Sequence, residues 1–329
     1  MRIAGSFILV GALAAVAFFG AAAGGQVLFG IALPYFAVAV FLAGTTARVV
    51  GWARSPVPFR IPTSCGPQRS LPFLKTARLD NPSTGLGALG RMLLEVLAFR
   101  SLFRNTRAEL KDGGRLVYSS DKWLWAAALA FHYSFLVILL RHLRFFAAPV
   151  PAFVPWLQSL DGFFQAGVPE VYVTNILLVA AVGYLLFRRV ADARLRYVSL
   201  HADYFPLALI LGIGISGILL RYLSKVDLES VKSLTIGLVT FSPALPKGIG
   251  PLFYVHLFLV SVLFAYFPFS KLVHMAGVFL SPTRNLANNN RMRRHVNPWN
   301  PPIVGHTYAE WEHEFHDKLV AAGIPLDGK

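Results

Sequence analysis

Four of the nine histidines lie inside apolar stretches long enough to cross a bilayer. His132 and His142 share WLWAAALAFHYSFLVILLRHLR, residues 123–144, and His256 and His274 share PLFYVHLFLVSVLFAYFPFSKLVHMAG, which begins at Pro251. Ionisable side chains at membrane depth are costly, and those that occur face a bundle interior, a relay or a cofactor. A neutral imidazole there can hydrogen-bond a neighbouring helix, pass a proton or hold a metal. Two imidazoles that fill both axial positions of a haem iron leave it no open site, which favours electron transfer over oxygen chemistry. Two histidine pairs therefore raise the reading of two b haems, against a proton relay in a haem-free membrane anchor.

The elements that must position these side chains follow from composition. The 329 residues are 55% hydrophobic and 14% charged, which excludes an ordinary soluble domain and indicates an all-α, polytopic membrane helical bundle. About six transmembrane helices meet the length criterion of about 20 apolar residues. They fall at 4–23, 27–50, 123–144, 170–190, 203–223 and 251–279, the last as one long helix kinked at Pro268. The apolar N-terminus resembles a signal peptide but reads as a retained first helix, because a second span follows at once.

The net charge of +15 collects between the spans rather than forming a nucleic-acid-binding stripe. Segment 53–122 carries twelve Lys/Arg against five acids, 188–201 carries four Arg, and the tail adds Arg284, Arg291, Arg293 and Arg294. Segment 145–169 has no Lys or Arg, and 224–250 balances three Lys with Asp227 and Glu229. Six spans put the basic segments on one side, the cytoplasmic one, with both termini. The expected organisation is a transmembrane hairpin (1–52), a cytoplasmic basic loop with an interfacial amphipathic helix (53–122), a four-helix dihaem core (123–280) and a cytoplasmic docking tail (281–329). The interfacial helix is LGALGRMLLEVLAFRSLFR, residues 86–104, with Arg91 and Glu95 one turn apart.

In this topology the two histidine-bearing helices are antiparallel. His142 matches His256 toward the outer side, and His132 matches His274 toward the inner side. Ten helical residues rise about 15 Å and eighteen about 27 Å, so straight helices do not bring both pairs into register. Haem propionates need cations, and Arg141, Arg144 and Arg221 sit at the outer ends of their spans, where positive charge is otherwise sparse. Tyr222 beside them is a candidate quinone contact, and snorkelling to headgroups is the competing role for the arginines.

The remaining histidines are weaker candidates. His201 lies in a basic loop, and His295, His306, His313 and His316 lie in the tail; His313 and His316 have no thiols near them for a zinc site. The single cysteine, Cys65, can build neither an iron–sulfur cluster nor a c-type haem attachment, so such chemistry belongs to partner subunits.

The spacings H-x9-H and H-x17-H on two helices resemble the dihaem cytochrome b (gamma) subunit of respiratory nitrate reductase. The extra first span, the long loop and SPTRNLANNNRMRRHVNPWN resemble the DsrM family, membrane cytochrome b subunits of the DsrMKJOP complexes of sulfur metabolism. The resemblance implies two haems b on His132, His142, His256 and His274, and menaquinone or another quinone as substrate. It implies electron exchange with a cytoplasmic iron–sulfur subunit (DsrK-like) related to heterodisulfide reductase. It also implies a periplasmic multihaem cytochrome c (DsrJ-like), a periplasmic iron–sulfur subunit (DsrO-like) and a second membrane quinone subunit (DsrP-like), with this chain in the bacterial or archaeal cytoplasmic membrane. The nitrate-reductase subunit carries a lysine at its quinol site after the first histidine-bearing helix, and segment 145–169 here has none.

Overall fold

In the computed structural model, residues 2–55, 66–162, 170–293 and 304–327 are described. Cys65, Arg294, His295 and the first prolines of the long loop (Pro56, Pro58 and Pro62) lie outside the described residues. Among the described residues six helices are long and apolar enough to cross a membrane, as the hydropathy pattern requires. They are α1 (Arg2–Ala22); a π turn (Leu28–Ala32) running into α2 (Leu33–Ala53); α5 (Lys122–Phe146); α7 (Val173–Ala191); α9 (His201–Tyr222); and α11 (Pro251–Tyr266) with its 3-10 extension to Phe269.

Shorter elements fill the connections. Between α2 and α5 lie α3 (Gly85–Ala98), α4 (Arg100–Phe103) and an antiparallel hairpin, β1 (Thr106–Lys111) with β2 (Arg115–Ser120). α6 (Phe153–Asp161) follows α5, α8 (Ala193–Val198) links α7 to α9, and α10 (Leu228–Val239) precedes α11. α12 (His274–Gly277) and α13 (Tyr308–Ala321) complete the chain. The even number of spans gives the bundle two ends. The basic end carries the hairpin, α8 and the tail, and the far end carries α6 and α10.

The core is built from small residues on α1 (Ala17, Ala21) packed against Ala208 and Leu209 of α9, Leu234 of α10, and Tyr254 and Leu259 of α11. Large apolar side chains such as Ile8, Phe19, Phe36, Ile176 and Phe187 point outward. That arrangement is costly in water and ordinary against lipid, where helices associate through small residues.

The hairpin departs from the all-helical expectation. The segment TRAELK-DGG-RLVYSS alternates on either side of a glycine turn, a hairpin signal. Arg107 reaches Asp192 at 3.1 Å, and Arg194 donates to the Ala108 carbonyl at 3.0 Å, which ties the hairpin to the start of α8. The amphipathic helix forms as α3, capped by the Thr84 hydroxyl, but it stops at Phe99, whose φ of 48° is left-handed. Leu86, Leu89, Leu93 and Leu97 leave one apolar face uncovered. Glu95 accepts hydrogen bonds from the Ser101 backbone and hydroxyl, and so links α3 to α4.

The last span is the main correction. It is not one helix to residue 279. α11 ends at Tyr266, and 3-10 turns (Phe267–Phe269, Lys271–Val273) and the extended Ser270 separate it from α12. Pro268 has no N–H to donate and its ring crowds the carbonyl four residues earlier, so the chain breaks rather than bends. Gly44 of α2 accommodates the break: a Cβ there would lie 2.7 Å from Pro268 Cβ.

The tail is likewise not free from its start. Asn288 is fully buried; its backbone N–H reaches the Pro82 carbonyl at 2.7 Å and its amide reaches Asn81 Oδ1 at 2.7 Å. Residues 281–293 thus close onto the loop before α3.

Candidate haem-binding site

The break after α11 resolves the register problem of the four histidines. His256 to Tyr266 is ten helical residues, about 15 Å, the same rise as His132 to His142 on α5. The eight residues beyond Tyr266 leave the helix axis, so His274 reaches the level of His132 instead of passing it. The His142 and His256 rings lie 6.4 Å apart between centroids at 17°. The His132 and His274 rings lie 6.0 Å apart at 85°. A transition metal holds an imidazole nitrogen at about 2 Å, so two imidazoles on opposite sides of one ion stand with centroids about 6 Å apart. Rotation about the metal–nitrogen axis leaves the interplanar angle free, so both angles fit such a pair.

In each of the four rings Nδ1 is already engaged. His132 Nδ1 meets the Ala128 carbonyl at 2.7 Å, His142 Nδ1 the Ile138 carbonyl at 2.7 Å, and His274 Nδ1 the Lys271 carbonyl at 2.8 Å. His256 Nδ1 meets the Ser216 hydroxyl at 2.9 Å. A carbonyl only accepts, so the proton of the first three rings sits on Nδ1 and the lone pair on Nε2. That is the tautomer of an axial ligand held by an outer hydrogen bond. The donor set fits low-spin haem iron at both levels. Aromatic rings close the basic-end pair: Phe99 and Phe131 meet His132 edge-on at 4.9 and 4.8 Å. The left-handed turn at Phe99 thus ends α3 and delivers a ring to His132. Tyr133 and Trp125 donate to the Leu97 and Ala98 carbonyls at 2.8 Å each and hold that junction on α5.

The candidate cations fare differently at the far end. Arg141 is buried and forms an ion pair with Asp161, and its guanidinium also reaches Thr174 Oγ1 at 3.3 Å. Asp161 accepts in addition from the Thr174 backbone at 2.9 Å and hydroxyl at 2.6 Å. Arg221 donates to the Glu170 carbonyl at 3.0 Å, and Tyr222 donates to the same oxygen at 3.1 Å. The Arg141 and Arg221 guanidinium carbons lie 3.5 and 4.1 Å from the Tyr172 ring centre, a cation–π sandwich. The buried Nε atoms of Arg141 and Arg221 have no hydrogen-bond partner among the described residues. Among the described residues neither Arg144 nor Arg221 has a carboxylate partner.

Asp161, Thr174 and Tyr172 were not singled out by sequence reasoning. Asp161 stands twenty residues from Arg141, beyond a proline-rich turn, and no local pattern joins them. His201 is exposed, with its ring beside Gly5 of α1.

Residues 100–294 match the family described as nitrate reductase gamma subunit. The chain is 48% identical over 310 residues to the Hdr-like menaquinol oxidoreductase cytochrome b-like subunit of Archaeoglobus fulgidus, covering 92% of this chain and 89% of the relative. It is 45% identical over 277 residues to the protein of the same description from Archaeoglobus profundus, covering 82% of each.

Proposed function

This chain belongs to the nitrate reductase gamma subunit family, and from that premise we propose that it is the dihaem cytochrome b subunit of a quinone-linked membrane oxidoreductase. It exchanges electrons between menaquinol and a cytoplasmic iron–sulfur subunit of the heterodisulfide-reductase type. The observation that carries the reading is the geometry of the four histidines: two facing pairs about 6 Å apart, each ring with Nδ1 engaged. His142 and His256 hold the outer haem, and His132 and His274 hold the inner one. Bound there, the irons supply one-electron transfer between a two-electron quinol and a soluble partner.

The chain's own residues orient the ligands and exclude water around them. Arg144 and Arg221, whose charges have no carboxylate partner among the described residues, are the side chains for propionates or quinone at the outer level. Arg141 is committed to Asp161, and Tyr222 spends its one O–H on the Glu170 carbonyl, whereas Arg221, which donates to the same carbonyl, keeps further guanidinium N–H groups for a ligand. The excess of basic residues beside the hairpin supports a cytoplasmic position for that end, where the partner would dock. The relatives' names support menaquinol as donor, and the single cysteine fits clusters carried by another subunit. A sulfur-metabolism complex with DsrK-, DsrJ-, DsrO- and DsrP-like partners is the assembly this reading favours.

The test is a dithionite-reduced minus oxidised spectrum of the detergent-purified chain with pyridine-haemochrome quantitation. Two haems b per chain are expected, falling to one in His132→Ala and in His256→Ala. A folded wild-type chain without haem leaves a haem-free membrane anchor or proton-conducting subunit.

A further inference from the structure

Three of the four ligand candidates are steered by backbone carbonyls of their own helix or turn; His256 is steered by a side chain from another helix. Ser216 lies in α9, forty residues away in sequence, and is buried. Its hydroxyl contacts two groups, the Ile213 carbonyl at 2.9 Å and His256 Nδ1 at 2.9 Å. A hydroxyl has one proton. The Ile213 carbonyl can only accept, so it takes that proton, and the oxygen lone pair accepts from the His256 Nδ1–H. The next residue, Gly217, lets the ring come this close: a Cβ there would stand 3.2 Å from His256 Cε1. The Ile213 carbonyl also faces the ring, so α9 holds His256 through the hydroxyl and this carbonyl together, and the carbonyl is the acceptor left if the hydroxyl is removed.

We propose that Ser216 is a positioning residue that fixes the ring plane and tautomer of His256, keeping the His142–His256 pair near parallel while the His132–His274 pair is near perpendicular. The inference rests on the dihaem reading and goes beyond it, since it makes the two centres electronically distinct. Near-parallel axial imidazoles give low-spin ferric haem a rhombic electron paramagnetic resonance spectrum, and near-perpendicular ones give a highly anisotropic signal. A carbonyl on the ligand's own helix moves with the ligand, whereas a hydroxyl from α9 fixes the ring relative to a second helix.

The experiment is low-temperature resonance on the oxidised, detergent-purified full chain, comparing wild type with Ser216→Ala and Ser216→Thr. Haem content is counted alongside, and the His142–His256 signal is identified by its loss in His256→Ala. The wild type is expected to show one rhombic and one highly anisotropic signal. In Ser216→Ala the Nδ1–H turns to the Ile213 carbonyl, so the rhombic signal shifts or broadens while the anisotropic one stays; Ser216→Thr keeps the wild-type spectrum. Loss of the rhombic centre in Ser216→Ala alone also supports the assignment. An unchanged spectrum in Ser216→Ala with both haems present overturns it. Equal disturbance in Ala and Thr variants overturns it too, since packing rather than the hydroxyl is then at work. A folded wild type with no haem overturns the dihaem reading itself, a separate outcome.

Discussion

The two ends of this bundle hold their charges by opposite means. At the far end the Arg141–Asp161 pair is buried, with side chains only 8% and 4% exposed, and Thr174 and Tyr172 complete its shell. At the basic end the cations stand partly in solvent over more buried carboxylates: Arg107 with Asp192, Arg104 and Arg100 with Asp80, and Lys271, 72% exposed, with Asp203, 7% exposed. The histidine pairs differ in the same sense. His142 and His256 sit on two uninterrupted helices, whereas His274 is carried by a short turn beyond a helix break and is more exposed than its three counterparts. One end keeps both partners of its ion pair buried, and the other keeps its cations closer to solvent. A quinol pocket in the membrane needs the first; a surface that meets a soluble partner tolerates the second.

The largest expected effect separates the ends directly. His142→Ala removes one haem and leaves the basic-end centre spectroscopically intact, whereas His274→Ala does the reverse; a variant that loses both shows the two ends to be one cooperative unit. Next is the buried pair. Asp161→Ala leaves Arg141 charged and unpaired, a change that costs about 3–5 kcal/mol when a buried ion pair loses one partner. Thermal unfolding in detergent reads it, and a loss under about 1 kcal/mol, the range of exposed pairs, makes the far end no different from the basic end.

Gly44→Ala presses a methyl into Pro268 beneath the break; overpacking of this kind costs about 1–3 kcal/mol. Its signature is a change at His274 before any at His256, seen by haem spectroscopy.

The smallest effects belong to the exposed links. Burial pushes the Asp80 carboxyl up, but hydrogen bonds from Arg104 and Arg100 outweigh it and hold the group below the usual carboxylate range. The stabilisation is therefore complete above the ordinary carboxylate pKa and lost as pH falls through the lowered one. Protease cutting of the loop before α3 should rise under acid, and cutting of the hairpin should rise with salt, since exposed pairs are screened. Far-end protection should change with neither.

Much of this was legible in the chain. Hydropathy alone placed the six spans, because bilayer thickness fixes their length. The four histidines stood out because membrane segments rarely carry them. Pro268 was visible, but a kink and a full break look alike in sequence; the outcome depends on Gly44, two hundred residues earlier. The hairpin had a local signal in Asp112-Gly113-Gly114 that a mostly helical composition obscured. α10 is too short and mixed to announce itself, although its Thr235 anchors the Phe145 carbonyl at 2.5 Å. Asp161 with Arg141 and Ser216 with His256 had no signal at all, since each pair meets only once helices have packed.

The separation of His274 from α11 also orders the birth of the protein. A chain made from its N-terminus completes the His142–His256 pair once the opening turns of α11 are in place. The His132–His274 pair must wait for the residues past Pro268, and the basic face closes later still, when Asn288 arrives to seal Asn81. The histidine pair nearest the proposed docking surface is thus the later of the two to be assembled, and that surface is complete only once residue 288 is in place.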